Sequence, residues 1–149
     1  MKAHFICILI LAISSLSLAR KIEFHFENLN DGSFETVTCQ VGDQIEVHLA
    51  ENPATDFKWL IPEEKEGFNS IWTMGDDKYD ELPPTGKQSS GGIHTFQLNC
   101  DYAGTEHLTF VYGKPELYGR AIAEFKKEGV FNALTMGGKA LQLRITSLR

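Results

Sequence analysis

Gln44-Ile45-Glu46-Val47-His48-Leu49-Ala50 followed by Glu51-Asn52-Pro53-Ala54-Thr55-Asp56-Phe57-Lys58-Trp59 is the stretch from which the fold can be read. Ile45, Val47 and Leu49 alternate with polar neighbours, the period-2 pattern of a strand with one buried face, and Phe57, Trp59 and Ile61 resume it after an interruption. The interruption is a turn signal. Proline fixes its own φ and holds the preceding residue extended, while Asn and Asp side chains bond nearby backbone. The stretch therefore predicts strand, stiff polar turn, strand. A stiff loop loses little entropy when it binds something, although most Asn-Pro turns between strands are purely structural.

The same alternation recurs on both sides. Lys21 to Glu27 sets Ile22, Phe24 and Phe26 against Lys21, Glu23 and His25, and Asn30-Asp31-Gly32 predicts a tight connection into a strand from Phe34 to Val41. On that strand Val37, Cys39 and Val41 share a face. Pro62 to Lys87 is polar and rich in Pro and Gly, with one apolar patch at Ile71 to Met74, and predicts a strand or two joined by long turns. Ser89-Ser90-Gly91-Gly92, a flexible turn, opens into a strand from Ile93 to Cys100 with Phe96, Leu98 and Cys100 on one face. Strands follow from Thr105 to Tyr112 and from Lys139 to Leu148, with a turn at Gly113-Lys114-Pro115 after the first. Between them, Ala121, Ile122 and Phe125 have helical spacing until Gly129, with Val130, Phe131 and Leu134 expected to pack on the flank. About seven or eight short strands of this kind predict an all-β, immunoglobulin-like β-sandwich with a short helical insertion near 117–136.

Residues 1–19 read as a secretory signal: Lys2, an apolar run from Phe5 to Ile13, and small residues up to Ala19. One domain, residues 20–149, is then expected. Of the 14 basic and 20 acidic residues, the signal holds one basic and no acidic residue, so the domain carries 13 minus 20, or −7. Nucleic acid and anionic membrane need a basic footprint, and neither suits such a surface. Cys39 and Cys100 can form a disulfide in an oxidising compartment or remain as two buried thiols; both readings stand on the sequence.

No nucleophile–base pair, metal cluster or placed carboxylate pair emerges, so catalysis, a metal and a cofactor are not expected. His25, His48, His94 and His107 are read as polar-phase, solvent-exposed residues, and the acidic runs Glu63-Glu64-Glu66 and Asp76-Asp77-Asp80-Glu81, which lack calcium-loop spacing, as solvated loops.

Three loops together carry a resemblance. Asn52-Pro53-Ala54-Thr55-Asp56 before Phe57-Lys58-Trp59, Ser89-Ser90-Gly91-Gly92 before Phe96, and Ala103-Gly104-Thr105 leading to Lys114-Pro115-Glu116 stand in the order and spacing of the chagasin family. The chain thus resembles that family of inhibitors of papain-like cysteine peptidases over roughly Thr36 to Pro115 and the last strand. The resemblance implies a sandwich whose three loops enter a cathepsin L-like cleft. Thr55 would lie against the catalytic cysteine and histidine, flanked by Asn52, Pro53, Ala54 and Asp56. Ser90, Gly91 and Gly92 would take one side and Lys114 and Pro115 the other, the inhibitor acting as a monomer without cofactor. Asp56 stands where the family has glycine, Glu116 where it has tryptophan, and Ser89 where it has glycine. The expected setting is secretion or a lysosome- or phagosome-like lumen. The alternative function is a secreted immunoglobulin-like binding or adhesion module.

Overall fold

The computed structural model describes residues 18–26, 33–52, 54–62, 70–83, 91–120, 123, 127 and 138–149. Among them are eight strands: β1 (Lys21–Phe26), β2 (Ser33–Gln40), β3 (Gln44–Glu51), β4 (Lys58–Leu60), β5 (Trp72–Glu81), β6 (Gly92–Cys100), β7 (Gly104–Gly113) and β8 (Lys139–Leu148). They form two four-stranded sheets, ordered β1-β3-β6-β5 and β2-β8-β7-β4. The all-β sandwich expected from the alternation is the fold observed.

Each sheet turns its apolar phase inward. In the first, Ile45, Val47 and Leu49 of β3 stand level with Leu98, Phe96 and His94 of β6. In the second, Leu108 and Phe110 of β7 stand level with Leu143 and Leu141 of β8. These apolar residues are almost wholly removed from water, and each such side chain contributes about 1.5–3 kcal/mol of hydrophobic stabilisation. Phe96 meets Phe110 across the layers, ring centroids 5.3 Å apart.

A disulfide, Cys39–Cys100, spans 61 residues and ties β2 of one sheet to β6 of the other. Restricting the unfolded chain over a loop of that length is worth about 4 kcal/mol in the chain-entropy account. Beside it, the turn after β2 is fastened to both sheets, Val41 N donating to Leu148 O and Gly42 N to Cys100 O, each at 2.8 Å.

Four expectations change. Strands β1 and β2 do not form a hairpin. β1 pairs in parallel with β3, and β2 in parallel with β8. The apolar faces decide this: Ile22, Phe24 and Phe26 extend the inner face of the first sheet, while Val37 and Cys39 extend that of the second. The Asn30-Asp31-Gly32 connection lies outside the described residues. Second, Val41 is exposed, because β2 ends at Gln40 and the turn rotates it out of phase. Third, the acidic run Asp76-Asp77-Asp80-Glu81, expected as a solvated loop, lies on β5, the edge strand of the first sheet and the one strand among the described residues of the Pro62 to Lys87 segment, where a strand or two was expected. Fourth, the insertion begins with a 3-10 turn, Pro115–Leu117, leading into helical residues 118–120. There Leu117 and Tyr118 cover Val111, Leu60 and Ala140 on the outer face of the second sheet. Val130, Phe131 and Leu134 lie outside the described residues.

At the end holding the disulfide, the buried Asp43 carboxylate accepts from Arg20 N (2.9 Å), Arg20 Nε (3.2 Å), Arg20 Nη2 (2.7 Å) and Gln40 N (2.8 Å). The Arg20 hydrogen bond chiefly holds this carboxyl down, to about 2, against the opposing effect of burial. Its folded pKa thus lies below the unfolded one, so its stabilisation is complete above the ordinary carboxyl range and lost as pH falls through that range toward 2. Thermal melting from pH 5 to 2 should show a fall in midpoint that Asp43→Asn flattens; an unchanged acid limb would mean the stabilisation resides elsewhere.

Candidate functional site

Strand register brings three loops to the end opposite the disulfide. Glu51 of β3 and Glu81 of β5 both stand level with Gly92 of β6, and Lys58 of β4 stands level with Gly113 of β7. The first loop (β3 to β4), the second (β5 to β6) and the third (β7 to β8) therefore leave the sandwich side by side.

The first loop is a closed turn. Thr55 N donates to Asn52 O at 3.0 Å, Thr55 Oγ1 donates to the same oxygen at 2.7 Å, and Ala54 N donates to Asn52 Oδ1 at 3.0 Å. This is the Asx-stabilised geometry that an asparagine before proline favours. Asn52, Ala54, Thr55 and Asp56 are all exposed at its tip; Pro53 lies outside the described residues. No described non-glycine residue has positive φ, so Asp56 carries no backbone strain in the place of the family's glycine.

Tyr112, at the end of β7, joins the first loop to the third. Its ring lies 5.1 Å from that of Trp59 and 5.6 Å from that of Phe57. Its hydroxyl is 3.4 Å from both Asn52 N and Thr55 Oγ1. Two residues further on, Lys114 Nζ sits over the Phe57 ring, 5.7 Å from its centre. Pro115 and Glu116 are exposed beside it.

Below the tip, the base of the loop is fixed by a buried carboxylate. Glu51 Oε2 accepts from Trp59 N at 3.0 Å and pairs with His94 Nδ1 at 2.9 Å, while His94 Nε2 meets Asp77 of β5. The imidazole thus bridges carboxylates on β3 and β5 through its two ring nitrogens. Trp59 Nε1 adds a bond to Ala50 O at 2.9 Å. The four interactions link β3, β4, β5 and β6 within one turn of the loop.

Gly91 and Gly92 are buried at the base of the second loop, and their missing side chains are required there. Gly91 has φ +77°, and a Cβ on it would stand 2.8 Å from Glu51 O; one on Gly92 would stand 2.3 Å from Tyr79 Oη. Ser90 and the rest of that loop's tip, residues 84–90, lie outside the described residues.

The chagasin family peptidase inhibitor I42 profile matches residues 38–126. Chagasin of Trypanosoma cruzi is 33% identical over 82 residues, 54% of this chain and 73% of that protein. This chain belongs to the chagasin family. Among solved structures, the chagasin-family chain is similar to the cysteine protease inhibitor EhICP2 from Entamoeba histolytica, with a TM-score of 0.61 and 17% identity over 89% of this chain and 98% of that one. It is also similar to PbICP-C, solved in complex with falcipain-2, with a TM-score of 0.51 and 17% identity over 85% and 98%. At these identities the structures speak for the fold. Membership of a family of peptidase inhibitors makes this chain an inhibitor rather than an enzyme, and sets aside the adhesion-module alternative.

Within this chagasin-family site, the sequence motifs located the exposed turn but not the residues beneath it. Glu51 is in phase with Ile45, Val47 and Leu49, so a carboxylate on the buried phase was a readable signal. His94 corrects the expectation of four solvent-exposed histidines: it shares the inward phase of Phe96 and Leu98, and its side chain is 13% exposed. His48 corrects it too, at 16%, because its outer-face position is covered by the stacked ring of His25. Tyr112 continues the inward phase of Leu108 and Phe110, with a hydroxyl that must find a partner.

Removing the Glu51 carboxylate leaves Trp59 N–H buried without an acceptor and His94 without one of its two anions. Glu51→Ala is expected to lower the unfolding free energy by about 3 kcal/mol in urea. Glu51→Gln should cost less, since its amide oxygen still accepts from Trp59. Equal losses would show that the Trp59 bond is not what matters.

Proposed function

We propose that this chain inhibits papain-like cysteine peptidases reversibly, entering the substrate cleft with its three-loop end and Thr55 foremost. The observation that carries the reading is the first loop itself: an exposed turn closed by three bonds to Asn52 and buttressed by Tyr112. A peptidase cleaves a segment it can hold extended. Asn52 to Thr55 is folded back on itself, so it fills a cleft without offering an extended peptide bond to the nucleophile. Its order is established on folding, which removes most of the entropic cost of docking. Lys114 and Pro115 stand beside that turn, and the buried Gly91 and Gly92 pack beneath it against Glu51 and Tyr79. Falcipain-2, held by PbICP-C, is the kind of partner that the fold admits.

Purified protein is expected to inhibit papain and a cathepsin L-like enzyme saturably, without being cut, in hydrolysis of a fluorogenic peptide. Thr55→Arg should weaken that inhibition about thirtyfold or more, the size of one interface hot spot, while melting at the wild-type temperature. Wild-type potency in that variant would remove Thr55 from its assigned place.

We also propose that residues 1–19 are a secretory signal and that the mature monomer works outside the cell or in a lysosome- or phagosome-like lumen. Two features support this. The Cys39–Cys100 bridge suits an oxidising route. Arg20 N lies 2.9 Å from Asp43 Oδ1, so an α-ammonium freed by cleavage after Ala19 would face a buried carboxylate. Amino-terminal sequencing of the protein from its native source should begin at Arg20; retention of residues 1–19 would refute the proposal.

A further inference from the structure

The outer face of the first sheet holds a cluster that inhibition does not use. The sequence contains Glu-x-His twice, as Glu23-Phe24-His25 and Glu46-Val47-His48. Because β1 and β3 run parallel, the two copies stand level, Glu23 opposite Glu46 and His25 opposite His48. Like groups placed directly opposite each other on a sheet repel, so the arrangement asks for a cation. Lys21 supplies one, its Nζ 2.8 Å from Glu46 Oε2 and 3.2 Å from Glu23 Oε1.

Each imidazole faces the carboxylate of its own copy, His25 Nε2 lying 3.6 Å from Glu23 Oε2. The two rings stack 4.3 Å apart, and Nε2 of His48 is buried with no hydrogen-bond partner, 3.4 Å from Glu46 Oε2. His48 Nδ1 lies 3.0 Å from Thr95 Oγ1. A proton on Nδ1, donated to Thr95, leaves the Nε2 lone pair aimed into the cluster, which is how an outer partner orients a ligating histidine. One ligand atom each from Glu23, His25 and His48 lie within 4.8 Å of one another.

We propose that Glu23, His25 and His48, with Glu46 as a fourth oxygen donor, form a binding site for a divalent transition-metal ion such as Zn²⁺. Two imidazoles with carboxylates suit zinc, copper or nickel rather than calcium or magnesium, which prefer all-oxygen cages. Ligand atoms around tetrahedral zinc are about 3.3 Å apart, a contraction that rotation of the exposed His25 and Glu23 side chains can supply. Bound metal would displace the Lys21 ammonium from Glu23 and fasten the edge strand β1 to β3. The other charges facing the hollow are Lys78 and Asp80 of β5, already paired with each other at 2.8 Å. The ligands are spread over two strands: each copy of Glu-x-His alone is unremarkable, and only the parallel register assembles them.

The test is calorimetric titration of the tag-free protein with Zn²⁺ at pH 7.5, with Co²⁺ absorption reporting coordination and histidine NMR reporting the ligands. One equivalent should bind, moving His25 and His48 resonances but not those of His94 and His107. His48→Gln and the surface substitution His25→Gln should each weaken binding at least tenfold, His107→Asn should leave it unchanged, and Lys21→Gln should strengthen it. His25→Gln guards against a His48 variant that fails to fold. Absence of saturable binding up to about 1 mM Zn²⁺, or wild-type affinity in His25→Gln, would overturn the proposal.

Discussion

The arrangement of the loop end depends on one buried carboxylate. Glu51 closes β3 and lies 6% exposed at the point where the chain leaves one sheet for the other. An isolated charge there would be prohibitive, and the carboxylate is tolerated because Trp59 N–H and the His94 ring converge on it. The hydrophobic layers can repack around small shifts; a hydrogen-bonded charge cannot, since its partners must keep both distance and direction. Glu51 therefore fixes the separation between the end of β3 and the start of β4, and hence the width of the turn from Asn52 to Thr55. His94 passes the same constraint to Asp77 on β5, and the Glu51 carbonyl holds Gly91 of the second loop at close range.

Much of this was legible in the sequence, and the failures have physical causes. Alternation located the described strands other than β5, whose exposed residues Thr73 to Glu81 carry no apolar phase, and it gave the last, Lys139–Leu148, to the residue, because its inward Leu141, Leu143 and Ile145 face a full core. His94 was read as exposed because it is polar, although it stands in phase with Phe96 and Leu98, and Glu51, in phase with Leu49, was not read as buried at all. Polarity and phase conflict only where a polar residue brings its own partner, and that partner is 43 residues away in sequence. The pairing of β1 and β2 failed for a different reason. A turn signal fixes that the chain reverses; it does not fix whether the next strand joins the same layer, which is settled by where unfilled apolar surface remains.

The second loop illustrates how one composition serves two purposes. Ser89-Ser90-Gly91-Gly92 reads as flexible, with backbone free to approach a partner. In the fold, Gly91 and Gly92 are buried against Glu51 and Tyr79, so their absent side chains serve close packing within the domain itself. The residues that read as a flexible hinge are thus a packed base from which the loop departs.

That coupling has a consequence for affinity. Tyr112, Trp59, Glu51 and His94 need not touch a peptidase, yet they set how much freedom Asn52 to Thr55 retains before docking. Loosening any of them widens the ensemble of the free loop, and the added entropy must be lost again on binding even if every contact in the complex is unchanged. Weakened inhibition from such residues should thus appear with the loop's own sequence intact. The opposite end, with its disulfide and the Asp43–Arg20 cluster, secures the sheets without entering this balance. If the loop end enters the cleft as proposed, inhibitory strength is governed at that single end of the sandwich, by buried polar groups as much as by the exposed ones.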